Sequence, residues 1–322
     1  MQIFDKGKVY DFMGARYIFL VVSILLFVGS LILLGTQGLK LGIDFSGGTL
    51  VQVKYDSIAP LGDIRDRLTK AGIEGASVTE FGSDEEITIR YSSSNESLGS
   101  DVGLGITQIL KDSGNFEVRK IDIVVPKVGE QLKKSGFMAI LVSLLGILIY
   151  IGVRFEWRFA FSAIVSEIHD IVIVLGFISL MRIDVNLDTL AAILTVIGYS
   201  LNDTIIIFDR VRESIQENDE KDLKKIMNEA VSRTLSRTIM TSVSTLISVL
   251  VLFFFGGDMI HNFASIMTVG IFIGTYSSIF IAVQALLWFR FNVVKYIAGL
   301  AEKKRRKKEK EKMRAMYERG SL

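Results

Sequence analysis

Six stretches of this chain are apolar for long enough to cross a bilayer, and that limits the fold more than any other feature. About 20 mostly apolar residues in a helix span a hydrocarbon core of roughly 30 Å. Inside lipid every backbone N–H and C=O must be bonded within the protein, which leaves helices or closed barrels. Runs of this length read as helices. They fall at 17–36, 135–153, 159–180, 187–208, 238–255 and 263–289. The expected plan is a short segment 1–16, a first span 17–36, a polar domain 37–134, a five-span domain 135–290 and a basic tail 291–322. The first run lacks a small-residue cleavage motif, so it reads as an anchor rather than a removable signal.

Lys and Arg in the short connections set the orientation. Lys6, Lys8 and Arg16 precede the first span, and Arg154 and Arg158 join the second to the third. Arg210, Arg212, Lys221, Lys224, Lys225 and Arg233 lie between the fourth and fifth, and "EKKRRKKEKEKMR" follows the sixth. The opposite loops, "MRIDVN" and "GGDMIHN", hold one Arg. Both termini are therefore expected in the cytoplasm and the polar domain outside.

Composition removes several functions. Among 322 residues there is no Cys, which excludes disulfides, thiol catalysis and Cys-ligated metals. The two histidines, His169 and His261, are far apart and argue against a His-rich metal site. A net charge of +2 gives no global field for nucleic acid. "GIDFSGG" lacks the spacing and Lys of a phosphate loop, so it reads as a turn-rich join to the outer domain. "FEWRF" mixes aromatic and basic residues as membrane-edge belts do. No cofactor is implied. The tail carries enough Lys and Arg to attract anionic lipid, at about 1 kcal/mol per basic residue at best.

The polar domain alternates between strand and helix patterns. "TLVQVKY", "ASVTEFG", "EEITIRYS" and "FEVRKIDIVV" read as strands, and "LGDIRDRLTKAG" and "SDVGLGITQILKDSG" as helices. The order β-α-β-β-α-β predicts a ferredoxin-like α+β domain. That fold carries no function of its own.

Three spans hold residues that lipid would punish. A carboxylate near the middle of a span costs roughly 2.5 kcal/mol or more, so it faces protein or water. In the fourth span, "GYSLNDTIIIFDR" puts Tyr199, Ser200 and Arg210 on the face of Asp203, flanked by Asn202 and Thr204. In the third, "SEIHD" puts Ser166, Glu167 and Asp170 on one face with His169 to the side. In the fifth, Arg233, Arg237, Thr241, Ser244 and Ser248 share a helical line. Burial disfavours the charged form of a carboxylate and a nearby guanidinium favours it. An Asp203–Arg237 pair would therefore take up or release a proton as the two approach or part. The bland alternative for each group is a hydrogen bond that fixes helix packing, and for the hydroxyls, small side chains that let helices approach.

Four motifs, "LGIDFSGGTLVQV", "FEWRFAFSAIVSEIHD", "AAILTVIGYSLNDTIIIFDRVRE" and "SRTIMTS", resemble the SecD/SecF family of bacterial Sec export subunits, and its SecF branch in particular. The family has the resistance-nodulation-division type of permease fold. The resemblance implies a multi-pass subunit of the bacterial inner membrane that pairs with SecD beside the SecYEG channel, with YajC as a further partner. It implies use of the proton motive force to promote late-stage export, with unfolded preprotein on the outer face and protons as the coupling ion. The family's proton path maps onto Asp203 and Arg237, and its third-span "HD" pair onto His169 and Asp170. Glu167 stands where the family leads us to expect an apolar residue. Two other readings use the same residues: a half-transporter for lipid or small molecules, and an intramembrane aspartyl protease built on Asp170 and Asp203.

Overall fold

The computed structural model describes residues 8–73, 75–91, 102–124, 126–217 and 220–318. Lys6 of the charge argument, and the strand and helix ends predicted within 92–101 and at 125, lie outside them. Among the described residues, six helices are long and apolar enough to cross a membrane. They are α1 (Arg16–Thr36), α5 (Pro126–Arg154), α6 (Trp157–Leu180), α7 (Leu187–Glu217), α8 (Leu223–Phe255) and a composite sixth span. The sixth is α9 (Gly257–Ser277), a π-turn (Ser278–Ala282) and α10 (Val283–Trp288).

Burial sorts the spans. In the most apolar window of α6 and of Ile260–Trp288, 61% of residues are buried, against 11% for α1 and 17% for α5 and α8. The α6 helix and the composite span thus form the centre, and the others present apolar side chains outward, where lipid would cover them. Two glycines set how closely the centre packs. A Cβ on Gly270 would lie 2.2 Å from Val196 Cγ2, and one on Gly274 would lie 2.9 Å from Ser200 Cβ. This small-xxx-small spacing lets α9 and α7 approach nearly backbone to backbone, which brings the serines of α9 up to α7.

Two spans run further than their apolar stretches. The α7 helix continues past Phe208 to Glu217, and α8 begins at Leu223 rather than near Thr238. Nothing in "DRVRESIQE" breaks a helix, and its buried Val211, Ser214 and Ile215 keep one face packed. Asp222 caps α8 by accepting a hydrogen bond from the Lys224 N–H at 3.0 Å. The segment before α1 docks here: the Tyr10 N–H donates to Ser232 Oγ and the Met13 N–H to Asn228 Oδ1, both at 2.9 Å. Beyond the bundle, α11 (Val293–Glu318) is a charged, exposed helix laced by pairs such as Arg306–Glu302 at 2.6 Å. The basic tail is thus helical as far as Glu318.

At the other end of the bundle sits the sheet domain. A four-residue helix, α2 (Ile43–Ser46), leads into β1 (Gly48–Tyr55), α3 (Leu61–Lys70), β2 (Ser77–Glu80), β3 (Glu86–Tyr91), α4 (Val102–Leu110) and β4 (Phe116–Val124). The strands form one antiparallel sheet in the order β2-β3-β1-β4. Alternation along β1 buries Val51, Val53 and Tyr55 against Ile64 and Leu68 of α3 and Ile106 and Leu110 of α4. "GIDFSGG" does more than turn the chain. Asp44 Oδ2 accepts the Leu187 N–H at 3.0 Å, which starts α7, and the Gly42 N–H donates to Val185 O at 2.8 Å. Lys40 pairs with Asp184 at 2.7 Å. The base of the sheet domain is therefore stapled to the α6–α7 connection.

Candidate functional site: a polar seam inside the bundle

The carboxylates of α6 and α7 meet at the centre of the bundle. Asp170 is fully buried and accepts three hydrogen bonds. Ser200 Oγ of α7 donates to its Oδ2 at 2.7 Å, and Ser277 Oγ of α9 donates to the same oxygen at 2.6 Å. His169 Nδ1 lies 2.9 Å from its Oδ1. Three converging donors suit an acceptor-only carboxylate. His169 is therefore joined directly to the cluster, on the side facing α1. Its ring lies 6.3 Å from that of Phe27, and its Nε2 has no partner.

The seam continues one turn along α7. Thr204 Oγ1 and Ser278 Oγ share a hydrogen bond of 2.8 Å, and Ser278 also donates to Ser200 O at 3.2 Å. Consecutive residues of an α-helix point about 100° apart. The π-turn that begins at Ser278 widens the helix, and Ser277 and Ser278 both face inward. Such turns recur at functional sites.

Asp203 is the opposite of Asp170. Only 2% of its surface is exposed, yet neither carboxylate oxygen has a hydrogen-bond partner. Arg237 is close enough to act on it electrostatically. It does not pair with it: Arg237 is exposed and lines a crevice of about 300 Å³ with Arg154, Asp209, Arg210 and Glu213. The expected contact is thus unmade here, because α8 is rotated so that Thr238 and Ser242 face the bundle. Ser242 shares a 2.7 Å hydrogen bond with Thr275. The two predicted hydroxyls fall elsewhere. Thr241 is half-buried and bonds back to its own helix at Arg237 O and Thr238 O, and Ser244 is exposed.

The remaining expectations divide. Ser200 is at the heart of the seam, whereas Tyr199 is half-buried with its hydroxyl unpartnered and Asn202 is exposed. Arg210 leaves the seam and pairs with Glu213 on α7. Sequence reasoning missed Ser277 and Ser278, which a pair of adjacent serines inside an apolar run could have signalled. It also left open Glu167, which is fully buried with both oxygens unpartnered.

A six-span bundle with buried carboxylates and hydroxyls at its centre and a small sheet domain at one end defines the class: a polytopic membrane protein with an internal polar seam. Comparison gives the family. Residues 106–292 match the model of the SecD/SecF protein export membrane protein C-terminal region, and residues 32–57 match the SecD/SecF GG motif. The protein translocase subunit SecF of Helicobacter pylori is 42% identical across the whole of both chains. That of Pseudomonas aeruginosa is 44% identical over 86% of this chain and 90% of its own. The crystal structure of SecDF, a translocon-associated membrane protein from a Thermus species, superposes with a TM-score of 0.77 at 31% identity. It covers 89% of this chain, which spans only 40% of that one. The chain belongs to the SecD/SecF family of protein export membrane proteins.

Proposed function

We propose that this chain is the SecF-type accessory subunit of a bacterial Sec translocase, and that it pairs with a SecD subunit to use the proton motive force in late-stage preprotein export. The observation that carries this reading is Asp203, a buried, unbonded carboxylate in the middle of a span, set in a family of export subunits. A buried charge without partners is costly, so the protonation of Asp203 is sensitive to its surroundings. When Arg237 swings toward it the charged form is favoured, and when Arg237 stays in its crevice the neutral form is favoured. One proton falling through 100 mV yields about 2.3 kcal/mol, enough to bias a conformational equilibrium roughly fifty-fold.

Pairing with SecD is supported by two facts. The solved SecDF chain is more than twice as long as this one, since 89% of this chain covers only 40% of it. The α7 and α8 spans also expose polar or small residues at membrane depth, among them Thr195, Gly198, Asn202, Arg237 and Ser244. Lipid is a poor neighbour for such a face, and a second membrane subunit is a good one. We further read the sheet domain, residues 37–134, as ferredoxin-like, on its β-α-β-β-α-β order and its β2-β3-β1-β4 sheet. The basic connections lie at the other end of the bundle, so we place both termini in the cytoplasm and the sheet domain outside. There it would meet unfolded preprotein, with SecYEG and YajC as neighbours, while α11 lies against anionic lipid.

Asp203→Asn tests the reading. The variant keeps the side chain's shape and cannot carry the charge. In vesicles bearing this chain with its SecD partner, the gradient-dependent part of export is expected to vanish while the gradient-independent part persists. Undiminished gradient dependence would remove the relay role.

A further inference from the structure

We propose that Glu167 is a second proton-carrying group of the seam, one that holds its proton in the state described here and gives it up only when the bonding of the seam changes. This rests on the proton-driven reading above. Glu167 is fully buried on α6, in one of the two most enclosed spans, and neither of its oxygens has a hydrogen-bond partner. A carboxylate anion in that setting would lack every compensation that buried charges require. A neutral carboxylic acid fits it. One helical turn away, Asp170 takes three donors and fits the anion. Two acids with opposite environments, one turn apart, suit opposite protonation states.

Ser200 belongs to the Asp170 side of this pair. Its hydroxyl proton is committed to Asp170 Oδ2, and Glu167 is left without a partner. Further along α6, Ser162 and Ser166 are fully buried with unpartnered hydroxyls. They lie at four-residue steps from Asp170, toward the α5–α6 connection.

The other titratable groups around this pair are few. His169 contacts Asp170 from the same helix, α7 contributes Tyr199 and Asp203, and α9 contributes Tyr276, whose hydroxyl is held by Ser23 and Phe19 O of α1. Tyr150 and Arg154 of α5 lie toward the α5–α6 connection, and Arg237 of α8 opens into the crevice beside them. No cation among the described residues forms an ion pair with Glu167, so a bound proton is its available counter-charge.

The test is infrared spectroscopy of the full chain in lipid vesicles, combined with export in vesicles that also hold the SecD partner. A carbonyl stretch of protonated carboxylic acid is expected at neutral pH, and the component that belongs to Glu167 should be lost in Glu167→Gln while any Asp203 component remains. The same variant should lose gradient-driven export several-fold, as should Glu167→Leu, which suits the apolar surroundings should the amide perturb folding. A band unchanged in Glu167→Gln, or no such band in the wild type, would overturn the protonated state. Loss of that component with undiminished export in both variants would overturn the role of Glu167 in proton carriage. If wild-type export itself ignores the gradient, the proposed function falls, and the infrared result still decides whether Glu167 holds a proton.

Discussion

In the sheet domain, Val51, Val53, Ile64, Leu68, Ile87 and Ile89 fill a core whose buried polar side chains include neutral Thr49 and Thr88 but no carboxylate among the described residues. In the helical bundle, Glu167 and Asp203 are as deeply enclosed and bonded to nothing. The first arrangement gains stability from every contact. The second gives some up, since each unsatisfied buried polar group costs about 1–3 kcal/mol and a charged one more. The sheet domain is thus built for stability, and the seam gives up stability for groups that can change their bonding.

Substitutions of decreasing weight can break or sharpen that contrast. Ile64→Ala should be the most damaging to stability. It leaves a cavity in the sheet domain and is expected to cost about 2–5 kcal/mol. Limited proteolysis should then cut the sheet domain while the spans stay protected. If the bundle unfolds with it, the two cores are one cooperative unit. Ser277→Ala removes one of the three donors to Asp170, a net loss of about 0.5–1.5 kcal/mol. A thermal melt in detergent measures it, and gradient-driven export should fall more than the melt does. If both fall in proportion, the seam is only structural. Lys40→Ala breaks the half-exposed pair with Asp184 at the base of the sheet domain. Its expected cost is within about 1 kcal/mol, and a larger one would show that the staple between the two regions carries strain from both.

Much of the architecture could be read from the apolar runs, because the requirement for satisfied backbone in lipid leaves so few options. The strands and helices of the sheet domain were equally legible, since Val51, Val53 and Tyr55 alternate cleanly. The ends of α7 and α8 were not. Their outer turns are charged, and charge at a membrane edge looks like a loop even when a helix continues. The site was half legible. Asp170 and Asp203 stood out as carboxylates in apolar surroundings. Which side of α8 faced them did not, because a rotation of about 100° per residue separates Thr238 and Ser242 from Thr241 and Ser244. Ser277 and Ser278 were hidden for another reason: small hydroxyls are ordinary in spans, and only the π-turn makes this pair act together.

That turn also governs everything beyond it. A π-turn accommodates one extra residue in a helix, and one residue is about 100° of rotation. Gln284 and Trp288 of α10, and the direction in which the chain leaves the bundle toward α11, therefore have their phase set at the serines that touch Asp170 and Thr204. Winding the turn back into an ordinary helix would act like a click of a ratchet: the serines would lose their common aim, and the far end of the span would face a new neighbour.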